Sequence, residues 1–341
     1  MKVKISVLIL VIATIALIVY GQYTFTNKTY NVESTDTSYK KREKIVEENA
    51  FSEDNIYIQV NNDEVKIYIK GSNTESDHYL GYQMKHLQKE LDQEEASSNY
   101  DIWKLNGAHE YSRSKSDKFR LVQEVVRTGE WEMAFWERGA TDFVGGSAHG
   151  DEVISSVEAF IDGEQITLDQ LIESEATEFV LSTSSDIYRD NTITEDLELI
   201  GNHKKVYTFN KEGLSLEQEV EFYEDLLWYR PYLTMLPILR TKDGKQITDT
   251  YEVNGEQFDV SEAGFEEQFI ESEKAKIWSE ESGITATVEI KEKSLDTPTI
   301  FHVANSPDYN KLYFAYVFDD YKVNEGDVWS QTTKFTIDTI N

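Results

Sequence analysis

The chain has 341 residues, with 64 Asp and Glu against 33 Lys and Arg, a formal charge of −31 and no cysteine. That balance excludes a nucleic-acid binder or a protein that docks on anionic lipid, since both need clustered cations. The missing thiols exclude disulfides, thiol nucleophiles, zinc–thiolate sites and a lipid-modified N-terminal Cys, and the 20 Tyr, 16 Phe and 6 Trp beside only 4 Pro exclude a disordered chain.

Lys2 and Lys4 lead into an uncharged, mostly apolar segment, residues 5–27. A span needs about 20 such residues, and the two lysines keep the end, residues 1–4, cytoplasmic. A cleaved signal peptide is the competing reading. No small-x-small site follows the apolar run, which favours a retained transmembrane anchor. Residues 28–55, polar and containing Lys40-Lys41-Arg42-Glu43-Lys44, read as a stalk. The chain is then a single-pass membrane protein that meets the membrane through its N-terminal helix only. Its body, residues 56–341, is extracytoplasmic, or secreted if the segment is cleaved.

From Ile56 the apolar period becomes two. Ile56, Ile58 and Val60 alternate, Asn61-Asn62-Asp63-Glu64 turns, and Val65, Ile67 and Ile69 alternate again, which predicts a hairpin. Met84, Leu87 and Leu91 have helical spacing, predicting a short helix that ends near Glu95. Strands dominate afterwards. Trp131, Met133 and Phe135 share a face, as do Leu214, Leu216, Val220 and Phe222, with Gln218 breaking that row. Ile284, Ala286, Val288 and Ile290 form another row, and Phe335 and Ile337 close the chain. Asp162-Gly163, Asp243-Gly244 and Asn254-Gly255 are turn signals between strands. No helix–strand alternation and no fixed repeat occur, so the expected fold is mainly β: a large antiparallel β-sandwich.

Three stretches concentrate chemistry. Asn99 to Tyr111 holds Trp103 and His109 among carboxylates and rings. Gly129 to Glu152 runs from an aromatic strand with Trp131 and Trp136 into a glycine-rich loop where His149 precedes Asp151 and Glu152. A His beside carboxylates can act as a general base, and glycines let a backbone approach other groups closely. Leu227 to Tyr232, continuing to Arg240, offers Trp228, Tyr229, Arg230 and Tyr232. Rings stack on sugar faces, and Arg grips a carboxylate with two parallel bonds. His149, Tyr229, Arg230 and Arg240 are the candidate catalytic residues. Trp103, His109, Trp131, Trp136, Trp228 and Tyr232 are the candidate ligand contacts. His149 is expected at a rim near Tyr207, Tyr229, Arg230 or Arg240. Gly145-Gly146 is no phosphate loop, because no Lys-Ser or Lys-Thr follows. The carboxylates do not fit a twelve-residue calcium loop, and neither a serine-hydrolase elbow nor a zinc-protease motif exists. No metal or cofactor is expected.

The segment Asp142 to Glu152, with Gly145-Gly146-Ser147-Ala148-His149-Gly150-Asp151-Glu152, resembles a stretch in surface and phage-tail-associated domains of Gram-positive bacteria, which implies no activity. The strand-rich C-terminal half resembles the supersandwich of galactose-mutarotase-like proteins and polysaccharide lyases. Together these imply an extracytoplasmic sandwich that binds or processes a carbohydrate or cell-wall glycan, lyase-like if enzymatic. There His149 or a Tyr would take a proton, while Arg230 or Arg240 neutralises a sugar carboxylate. The −31 charge favours a neutral or locally screened substrate. The alternatives are a non-catalytic adhesion or assembly module and a structural surface protein.

Overall fold

The computed structural model describes residues 54–71, 78–89, 100–113, 118–126, 130–189, 198–264 and 268–340. The expected anchor and nearly all of the expected stalk lie outside them. Among the described residues no helix is long and apolar enough to cross a membrane.

Two-residue alternation builds almost everything described, and 70% of it is strand. Along the first half run β1 (Ile56–Asn61), β2 (Glu64–Lys70), β3 (His78–Lys89), β4 (Tyr100–Arg113), β5 (Phe119–Val126), β6 (Ala134–Glu137), β7 (Glu152–Ile161), β8 (Glu164–Ile166), β9 (Ile172–Ala176), β10 (Glu178–Tyr188), β11 (Leu199–Asn210) and β12 (Gly213–Phe222). The second half adds β13 (Leu226–Leu239), the small hairpin β14 (Thr241–Lys242) and β15 (Lys245–Gln246), β16 (Thr250–Val253), β17 (Glu256–Asp259), β18 (Ile270–Glu271), β19 (Lys274–Ser279), β20 (Ile284–Lys293), β21 (Ile300–Asn305), β22 (Tyr309–Ala315), β23 (Asp320–Val323) and β24 (Val328–Thr339).

Pairing sorts these into two antiparallel layers. The first has the order β9-β1-β2-β3-β4-β5-β13-β22-β21-β18, with β6 and β23 flanking the first half of β13. The second has the order β8-β7-β10-β11-β12-β24-β20-β19-β16-β17. Among the described residues the hydrogen-bond ladder passes between them only at a parallel contact of β4 with β7, Tyr100↔Glu152 and Asp101↔Val153. Side chains from both layers meet in one core, so the body is a sandwich. Ile56, Ile58, Val65, Ile67 and Met84 from the first layer join Phe179, Leu181, Phe209, Leu216, Val288 and Phe335 from the second. Tyr82 packs on Phe209 at 5.5 Å and Trp131 on Phe335 at 5.4 Å across the gap. A second cluster, with Phe135, Phe222, Trp228 and Trp329, fills one end.

The hairpin at Asn62 forms as expected, with Val60↔Val65. The three turn dipeptides take left-handed φ at both positions, for example 48° at Asp162 and 82° at Gly163. That is the twist a two-residue hairpin requires. Gln218 does not break its row. It is buried, pairs with His203 at 3.0 Å and donates to the Leu233 carbonyl. The expected helix at Met84 and Leu87 is a correction: both lie in β3, where Met84 is paired to Val65 on one side and Leu105 on the other. Hydrogen bonds along both edges outweigh a spacing that two or three apolar residues also satisfy by chance. Leu91 lies outside the described residues.

Candidate functional site

The glycine-rich segment folds as a narrow loop over the outer face of the first layer. Phe135 bridges Val144, and Gly145 bridges Gly150 around a single helical turn, Gly146–His149. Gly145, Gly146, Gly150 and Asp151 all have positive φ, at 117°, 65°, 80° and 60°. A Cβ on Gly146 would stand 2.8 Å from Glu130 Cγ, and one on Gly145 would stand 2.9 Å from the Met133 carbonyl oxygen. The glycines are thus required by close approach.

His149 does not use the carboxylates that follow it. Its Nδ1 lies 3.1 Å from Asp142 Oδ1, and its ring packs on Phe143 at 5.0 Å. Asp151 is buried, and Glu152, the first residue of β7, points between the layers. There it meets Lys205 Nζ at 2.5 Å and His203 Nδ1 at 3.6 Å, and accepts the Gly146 N–H at 3.1 Å. Burial alone would raise the Glu152 pKa, but Lys205 and His203 outweigh it and hold the carboxyl well below its ordinary value.

Other charges are also buried and mutually satisfied. Lys104 Nζ donates to Ser147 Oγ at 2.9 Å and lies 3.8 Å from Glu130, which also lies 3.8 Å from Lys311. Glu132 accepts the Leu105 N–H at 2.8 Å and the Tyr207 hydroxyl at 3.0 Å. Burial lowers the Lys311 and His203 pKa values and, with the Glu132 charge, raises that of Tyr207. Each charged group here lies within 3.8 Å of an opposite charge or a hydrogen-bond partner inside the protein. Such a set is structural: its charges are spent on one another, and the Tyr207–Glu132 bond ties one layer to the other.

Partly exposed rings collect on the outer face instead. Period-two alternation puts Phe301, Val303, Leu312 and Phe314 into the core, so His302, Lys311 and Tyr313 face outward. Phe143, Tyr313 and Phe318 all pack against one small cluster, Ala134, Tyr232, Met235 and Ala315. From it a line of contacts runs both ways. Phe143 meets Trp136 at 5.3 Å, and Trp136 meets Tyr229 edge-on at 5.9 Å. Tyr313 stacks on His302 at 4.8 Å, and His302 packs on Phe269 at 5.0 Å. Arg230 joins the two ends: its guanidinium lies over Phe318 at 4.3 Å, and over Tyr229 and Phe269 at 5.0 Å each. Arg138 covers Tyr229 at 4.0 Å but is tied to Asp320 at 2.6 Å. Burial, then the Arg230 charge, pushes the His302 pKa down to about 4.

Arg230 has φ 46° and precedes Pro231. A residue that carries a Cβ rarely takes that region, and a following proline disfavours it further; such strain costs about 1–3 kcal/mol. It occurs where the register of β13 slips against β6, between Tyr229 and Tyr232. The slip turns Arg230 onto the strip.

The structure therefore gathers His149, Trp136, Tyr229, Arg230 and Tyr232 around one face. His149 reaches Tyr229 only through Phe143 and Trp136. Trp131 and Trp228 are corrections: they are 0% and 1% exposed, core rings with no face for a ligand. Trp103 is likewise buried and stacks on His86. Tyr207 is sealed between the layers. Arg240 donates to the carbonyls of Ser306, Ser261 and Pro307, so it ties loops together. His109 accepts the Val125 N–H at 3.4 Å, and burial lowers its pKa. Sequence reasoning missed Phe143, Phe269, His302, Tyr313 and Phe318. The legible signal was the polar or aromatic residue between two core residues, as in Phe301-His302-Val303 and Leu312-Tyr313-Phe314.

Two surface grooves of about 520 and 600 Å³ lie on other strands. Glu271, Glu273 and Glu289 line the first, and Asp249, Asp259 and Glu280 line the second, where Trp278 is the sole ring. Among the described residues no cluster of three or more His, Asp or Glu is placed to hold a metal.

No family model matches the chain, and no curated protein matches it. Solved structures do. A galactose mutarotase-like protein from Lactobacillus casei ATCC 334 is 11% identical, with 80% of this chain and 99% of that one covered, at TM-score 0.35. A protein from Synechocystis sp. PCC 6803 is 12% identical over 80% of this chain and 96% of that one, at TM-score 0.34. A protein of Escherichia coli K12 described as an aldose 1-epimerase is 10% identical over 84% and 99%, at TM-score 0.28. The function is accordingly argued from the side chains.

Proposed function

We propose that the body binds a carbohydrate across the aromatic strip of the first layer, and that the apolar N-terminal segment anchors it with the strip outside the cell. The carrying observation is the convergence of Phe143, Trp136, Tyr229, Phe318, Phe269 and Tyr313, from several separate chain segments, on one partly exposed face interrupted by Arg230. Apolar ring faces match the C–H faces of sugars, and a few polar groups among them set orientation. A second reading adds chemistry at one end. Asp142 at His149 Nδ1 is the arrangement that fixes the tautomer of an imidazole and leaves Nε2 as its basic nitrogen.

The test is a glycan-array screen of the body followed by titration of the best glycan. Trp136→Ala is expected to weaken binding at least tenfold with little change in the thermal midpoint, because the ring lies outside the core. His149→Ala separates the two readings: it should spare affinity, and abolish turnover if turnover exists. Undiminished binding by the Trp136 variant would defeat the proposal.

A further inference from the structure

In a chain with 64 acidic residues against 33 basic ones, a half-buried arginine with no oxygen partner stands out. The other arginines near the strip or its loops have oxygen partners. Arg138 holds Asp320, Arg189 holds Glu137, Glu198 and Glu224, and Arg240 holds three carbonyls. Arg230 makes no ion pair or side-chain hydrogen bond among the described residues, and its Nε is buried without an acceptor. Such a donor is costly to leave unmade. Phe318, Phe269 and Tyr229 lie within 5.0 Å of the guanidinium carbon. They meet the charge through ring faces, which accept no strong hydrogen bond and leave its N–H groups unused. Beside it, His302 is held neutral at ordinary pH, partly by the Arg230 charge. A left-handed backbone before Pro231 keeps the side chain there.

Resting on the carbohydrate reading, we infer that Arg230 is an oxyanion subsite: the glycan carries a carboxylate or phosphate that docks on the guanidinium edge while its sugar ring lies on the neighbouring aromatics. Guanidinium presents two parallel N–H donors to such a group. The ligand is then an acidic sugar, although the net charge of the whole chain argues for a neutral one. Local desolvation among rings strengthens the contact, and the distant carboxylates are screened beyond about 8–10 Å.

The experiment follows the Arg230 and Trp136 side-chain signals of the full-length ¹⁵N-labelled protein by NMR, titrating glucose, glucuronate, glucose 6-phosphate and sodium acetate. Glucuronate or glucose 6-phosphate should bind at least tenfold tighter than glucose, and which of them wins names the oxyanion. Arg230→Gln should erase that preference, so that both acids bind no tighter than glucose does to the same variant, and Arg230→Lys should retain part of it. Saturable acetate shifts at Arg230 with no response to any sugar would uphold the oxyanion subsite and defeat the carbohydrate reading. Equal binding of glucose and both acids, or acid binding untouched by Arg230→Gln, would overturn the inference. So would an Arg230 signal that none of the four probes moves.

Discussion

His302 shows how a single side chain couples the strip to pH. Its ring is stacked on Tyr313, its Nε2 is 3.3 Å from the Tyr232 hydroxyl, and its pKa is pushed down to about 4 by burial and by Arg230. An unfolded histidine titrates near 6.5. Between those values the unfolded chain binds a proton that the folded one does not, so stability rises with pH through this window. It is lost as pH falls from about 6.5 toward 4, by about 3 kcal/mol for this group. Urea denaturation of wild type and His302→Asn at several pH values should show a steeper acid decline in wild type. Parallel curves would mean that the imidazole is not held neutral by its surroundings.

At the scale of elements, glycines separate turns that only need twist from crossings that also need space. Gly255, in the β16–β17 turn, has φ 83°, and a Cβ added there would meet nothing within 4 Å, whereas Gly213 has φ 113° and would place its Cβ 2.6 Å from the Phe335 carbonyl oxygen. Gly255→Ala is expected to cost about 1 kcal/mol from backbone strain alone. Gly213→Ala should cost about 2–3 kcal/mol, because β24 must also shift. Denaturant midpoints check the ranking. The Asn254-Gly255 turn was legible in the sequence, as were the alternating rows of β1, β2, β12 and β20, because turn chemistry and period-two burial are local. The crossing at Gly213 was not, since it depends on which distant strand lies alongside. The same limit governs the site. His149, Trp136, Tyr229 and Arg230 stood out as unusual residues in two short stretches. Their companions Phe269, His302, Tyr313 and Phe318 come from a third region whose adjacency arises only from the β13–β22–β21 order. Trp131 and Trp228 misled because composition cannot tell a ring that fills a core from one that faces out.

For the whole molecule, the second layer is held by buried charge as well as by apolar packing. Glu152 at the start of β7 meets Lys205 on β11, both at most 2% exposed. Lys205→Met strands a buried carboxylate and should cost about 3–5 kcal/mol, whereas the double variant Glu152→Leu, Lys205→Met should recover much of that loss. A double-mutant cycle by thermal unfolding measures the coupling. A loss in the double variant equal to the sum of the two single losses would mean the pair does not act as a unit.

The place of β1 in the sheet order has a mechanical consequence. Although first in the chain among the described strands, β1 is not an edge: it is hydrogen-bonded along its length to β2 on one side and β9 on the other. Those bonds run perpendicular to the strand. A pull on the chain ahead of Ile56, resisted by a ligand held on the strip, loads both ladders in shear, and they must yield together, not peel one bond at a time. A protein held by its N-terminal side while gripping something at its outer face would resist traction at the very strand where the load enters.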